Sequence, residues 1–75
     1  MKYLIIESAD CDHGIAFTAT LQHKAVGSAL AHIGTARSAG FIVFKNGDVL
    51  CHGESDSLKL KSRPDDALHF RDLAK

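Results

Sequence analysis

Apolar positions change their spacing along the chain, and each change predicts an element. Over residues 2–8, KYLIIES, they alternate, sending Leu4 and Ile6 to one face and Tyr3, Ile5 and Glu7 to the other, which is the period of a strand. The stretch Asp10-Cys11-Asp12-His13-Gly14 interrupts it. Its aspartates bond neighbouring backbone N–H groups and its glycine tolerates positive φ, so a turn is expected. Residues 15–20, IAFTAT, alternate apolar with small and predict a return strand pairing with the first. The same residues also suit a helix start, and the pattern leaves 15–19 open between the two.

From Leu21 the spacing becomes helical. Leu21, Ala25, Ala29 and Ile33 recur every fourth residue beside Val26 and Leu30, with Gln22, His23, Lys24, Ser28 and His32 at other positions. A helix of about fifteen residues follows, with Thr20 as N-cap and Gly34 as the stop. Gly27 within it suggests close approach to a sheet.

FIVFKNGDVLCHG, residues 41–53, places Asn46-Gly47 between two apolar runs, the signature of a two-residue type I′ hairpin. That loop length sets Lys45 opposite Asp48, Phe44 opposite Val49, Val43 opposite Leu50, Ile42 opposite Cys51 and Phe41 opposite His52. Ser57-Leu58-Lys59-Leu60-Lys61 then alternates as a lysine-protected edge strand. Ser62-Arg63-Pro64-Asp65 reads as a helix start, and Ala67, Phe70, Leu73 and Ala74 as the stripe of a short C-terminal helix.

These elements predict an α+β fold in a single domain over residues 1–75. A small antiparallel sheet of four to five strands would carry the long helix on the face of Leu4, Ile6, Ile42, Phe44, Val49, Leu58 and Leu60. Tyr3, Ile5, Phe41, Val43 and Leu50 would point to the second face. Only the short C-terminal helix or a second subunit is available to cover that face, and the sequence leaves open which does.

A chain of 75 residues with 45% hydrophobic and 24% charged positions lies outside the disordered regime and should fold. Nine basic side chains balance nine acidic ones, so no net field draws the chain to nucleic acid or an anionic membrane. The apolar run Tyr3 to Ile6 is too short for a signal-peptide core or a membrane span. Two cysteines allow one bridge at most, where small secreted domains usually carry more, so free thiols and a cytoplasmic location are expected.

Cys11, His13, Cys51 and His52 are residue types that bind zinc, but Cys51 and His52 are adjacent on a strand and leave opposite faces. Cys11 and His13 alone supply two ligands, too few for a structural site. Cysteine catalysis by Cys11 with His13 and a neighbouring aspartate would need partners from separate elements. The helix–β–β–β–helix order of residues 20–74 makes a double-stranded-RNA module the test case for nucleic acid. Pro64-Asp65-Asp66 puts acid where such a module needs base.

The expected function is therefore a small cytoplasmic interaction or regulatory protein, non-enzymatic and without cofactor, acting through contact with itself as a homodimer or with another protein. Its expected interface is Tyr3, Ile5, Phe41, Val43 and Leu50. The alternatives are a weak nucleic-acid-binding module and a small metal- or ligand-binding protein using Cys11 and His13.

Overall fold

The computed structural model describes residues 1–70. In chain order it contains β1 (Lys2–Glu7), β2 (Asp12–Phe17), α1 (His23–Ala29), β3 (Thr35–Lys45), β4 (Asp48–His52), β5 (Glu54–Ser55), β6 (Leu60–Lys61) and a 3-10 turn (Asp66–His69). The main sheet is antiparallel in the order β2-β1-β3-β4, and β5 and β6 pair separately. Tyr3, Leu4, Ile5 and Ile6 of the central β1 are all fully buried, as apolar side chains covered on both faces of a sheet must be.

Residues 15–17 belong to a strand that returns along β1, with Leu4 opposite Ile15 and Lys2 opposite Phe17. The reversal is tighter than the sequence suggests, because β2 already starts at Asp12. Ser8 closes it: its N–H and hydroxyl donate to the Cys11 carbonyl, at 3.2 and 2.6 Å.

The expected long helix is absent, which overturns the predicted architecture of a long helix laid across a sheet face. α1 has seven residues, and no side chain caps its start. Thr20 lies in a turn in which Leu21 N–H bonds the Thr18 carbonyl, leaving Leu21 outside and exposed. At the other end, Ala31 and Ile33 bond three residues back, so the chain unwinds after Ala29. Sheet pairing explains the early exit: Glu7 pairs with Thr35, and a Cβ on Gly34 would collide with the Glu7 carbonyl oxygen. The backbone must leave the helix to make that approach. Val26 and Leu30 still pack on the core.

β3 runs for 11 residues, six more than the apolar run beginning at Phe41 indicated. Its first half, TARSAG, is small and polar and has little intrinsic strand preference, so pairing with β1 holds it extended. The β1–β3 register corrects the predicted faces. Lys2 faces Phe41 and Leu4 faces Ala39, with a bulge between Ile5 and Ile6. Ile42 thus joins Tyr3, Ile5 and Phe70, with Val49 and Cys51 against them, while Leu4 and Ile6 join Phe17, Ala39, Leu58 and Leu60. Alternation fixes which residues of one strand share a face, but not which face of the next strand they meet.

The C-terminal third also differs from expectation. Lys59 takes φ 56°, breaking the alternation of residues 57–61, and only Leu60–Lys61 is a strand, paired with Glu54–Ser55 rather than added to the main sheet. Leu58 and Leu60 nevertheless pack inward beside α1. Among the described residues the C-terminal helix is one 3-10 turn, and it places Phe70 edge-on to Tyr3 with ring centroids 5.6 Å apart. Leu73 and Ala74 lie outside the described residues.

Candidate functional site

The β3–β4 hairpin has the turn and register its sequence implies. Asn46 and Gly47 take φ 51° and 83°, and the pairs run from Lys45 opposite Asp48 to Phe41 opposite His52. Positive φ at both central positions matches the right-handed twist of the flanking strands. Phe41, Val43 and Leu50 consequently share a face with Lys45, Asp48 and His52.

This face is unevenly covered. α1 lies over the β1 side, where His23 packs edge-on to both Phe17 and Phe41 and its Nε2 donates to the Gly40 carbonyl at 2.9 Å. Seven residues span roughly 10 Å at 1.5 Å each, and nothing else among the described residues extends the cover to the hairpin tip. Exposure rises outward, from 37% at Phe41 through 43% at Val43 to 62% at Leu50. Tyr3 and Ile5, grouped with these three by the sequence, are fully buried on the opposite side of the sheet.

On that opposite side, burial brings together polar groups that sequence reasoning did not connect. The Asp66 carboxylate, fully buried, accepts the Tyr3 hydroxyl at 2.5 Å, the Ser38 hydroxyl at 2.8 Å and the Arg63 N–H at 2.9 Å. Arg37 stands beside it, 3.8 Å from Asp66, 2.9 Å from Asp12 and 3.5 Å from Asp65. One guanidinium thus ties β2, β3 and the C-terminal segment together. The only sequence cue was Ser62-Arg63-Pro64-Asp65, read as a helix start; a 3-10 turn does follow it from Asp66, whose carboxylate accepts the Arg63 N–H. Ser38 and Arg37 sit in the small polar half of β3, where no pattern singled them out.

The cluster is closed. Tyr3, Ser38 and Asp66 have no exposed surface, so no substrate reaches them without unfolding the C-terminal turn. Burial, and next the hydrogen bond to Asp66, push the Tyr3 phenol above its ordinary range. Burial first, and the Asp66 charge second, push the Cys51 thiol up to about 11. At neutral pH Cys51 is a protonated, poorly nucleophilic thiol.

Cys11 is exposed at the β1–β2 turn, its sulfur 3.7 Å from His13 Nε2, which also lies 3.3 Å from the Ser8 hydroxyl. Cys51 and His52 are elsewhere, on β4, and the His52 ring stacks on Phe41. Among the described residues no three His, Cys, Asp or Glu side chains converge as a metal site would require. Both cysteines are free, and no helix among these residues is long and apolar enough to cross a membrane. In comparison with known proteins, no family model matches the chain, and neither does any curated protein or solved structure.

Proposed function

We propose that this is a small cytoplasmic interaction or regulatory protein, non-enzymatic, that acts through protein–protein contact as a homodimer joined at the β3–β4 hairpin. The observation that carries this reading is the outward gradient of exposure at Phe41, Val43 and Leu50 on a hairpin whose turn and register follow from Asn46-Gly47. Phe41, Val43 and Leu50 make an exposed apolar cluster on one face of the hairpin, and contiguous clusters of this kind are candidates for contact surfaces. A second copy suits it, because Lys45 and Asp48 border the patch with opposite charges and the chain as a whole is neutral. Burial of the Tyr3–Ser38–Asp66 cluster and the protonated Cys51 thiol support a non-enzymatic role, and two free cysteines suit the cytoplasm.

Sedimentation of the wild type and of Leu50→Glu, with circular dichroism as the folding control, tests the proposal. The expected outcome is a dimeric wild type and a folded monomeric variant. Equal masses for the two proteins would contradict it.

A further inference from the structure

The reading of the hairpin as a contact between two copies leaves open how they meet, and the backbone of β4 narrows the answer. β4 is an outer strand of the main sheet. Ile42 N–H donates to the Met1 carbonyl at 2.8 Å, and the Met1 amino group donates back to the Ile42 carbonyl at 3.4 Å, so the polar backbone groups of Ile42 face β1 rather than β4. Its partner Cys51 is therefore in a non-hydrogen-bonded pair with β3, and so, two residues along, is Val49 opposite Phe44. The N–H and C=O groups of Val49 and Cys51 point away from the sheet. Among the described residues, no turn, loop or cap bond reaches them.

Outer strands are usually protected by lysine, proline or a bulge. The segment Val49-Leu50-Cys51-His52 has none of these, and its register with β3 is unbroken. The other outer strand, β2, differs: it carries no exposed large apolar side chain, and its Asp12 is held by Arg37.

We infer that two copies join β4 to β4 in antiparallel fashion about a two-fold axis at Leu50, making one continuous eight-stranded sheet. This inference rests on the homodimer reading and specifies its geometry. Centring the axis on Leu50 makes Val49 and the partner's Cys51 the hydrogen-bonded pair, which matches the outward groups of both. On one face Leu50 meets the partner's Leu50, flanked at both ends by Asp48 against the partner's His52, an acid opposite a base. On the other face two half-buried apolar residues, Val49 and the partner's Cys51, adjoin. Sliding the partner by one step in either direction loses this match: Asp48 would oppose the partner's Leu50, or oppose the partner's Glu54 with like charge. The burial of β4 has the same periodicity, with Asp48, Leu50 and His52 exposed and Val49 and Cys51 half-buried.

Amide hydrogen exchange of the wild type, followed by NMR over a concentration series spanning the sedimentation midpoint, tests the geometry. Exchange at Val49 and Cys51 should slow about tenfold once nine-tenths of the chains are dimeric, because only the monomer fraction then exposes them. The Leu50 amide, bonded to β3 in both states, should change much less. A dimer whose Val49 and Cys51 amides keep the monomer rate would overturn edge pairing while leaving the homodimer intact; a monomer at every concentration would overturn both. For the register, Leu50→Cys in a Cys11→Ser, Cys51→Ser background should cross-link when its thiols are oxidised by oxidised glutathione. Failure to cross-link, with ready Cys51 cross-linking in Cys11→Ser, would displace the axis from Leu50.

Discussion

The two faces of the sheet are closed by different means. On one, a single 3-10 turn inserts Phe70 beside Tyr3, Ile5 and Ile42 and sets Asp66 to receive two hydroxyls and a backbone N–H. On the other, α1 covers Leu4, Ile6 and Ala39 with the help of Leu58 and Leu60, then ends, leaving Val43 and Leu50 open. The shorter element buries Tyr3, Ile5 and Ile42 as fully as α1 buries its residues, with a hydrogen-bonded cluster fixing its position, and leaves Phe44 37% exposed near the hairpin tip. Length of helix is a poor guide to area covered; the anchoring of a segment decides more.

If that contrast holds, damage to the anchor should cost most. Asp66→Ala leaves the Tyr3 and Ser38 hydroxyls buried without an acceptor and Arg37 with one fewer carboxylate, and should destabilise the fold by about 3 kcal/mol. Urea denaturation measures this, and a loss below about 1 kcal/mol would mean the cluster does not hold the face closed. Gly47→Val acts at the hairpin tip, where φ is 83° and no atom lies within 4 Å of an added Cβ. The cost there is conformational strain, roughly 1 kcal/mol or slightly more, read from the same denaturation curves.

On the open face a charge should be tolerated by the monomer: Val43→Glu should shift monomer stability by no more than about 0.5 kcal/mol, measured at concentrations where both proteins are monomeric. The smallest effect is on reactivity rather than folding. Cys51 belongs to the closed face, and with its thiol pushed up to about 11 its alkylation rate should keep rising through pH 10 as thiolate forms. A plateau below pH 9 would show that its surroundings are less buried than described.

The legible parts of the fold are those set by local chemistry. Asn46-Gly47 specifies its own turn and, through it, five residue pairs of β3 and β4. The alternation in KYLIIES identifies β1, whereas IAFTAT leaves strand and helix start open, and only its first three residues lie in β2. What could not be read depends on contacts distant in sequence. TARSAG is extended because β1 lies beside it, and the helical spacing of residues 21–33 is cut short because Gly34 must approach Glu7. The relative phase of β1 and β3 is set by a register and a bulge that no single strand encodes. It divided the expected interface, sending Tyr3 and Ile5 inward and leaving Phe41, Val43 and Leu50 outside. The Asp66 cluster joins positions 3, 38 and 66, and short-range patterns carry no trace of such a link.

The central claim, that the open end of the sheet is a contact between two copies, is tested most directly by the solution mass of the unmodified protein. Sedimentation equilibrium from low to high micromolar concentration should give a mass rising from that of one chain, 8.1 kDa, toward twice that value. A mass that stays at one chain through the whole range would contradict the account.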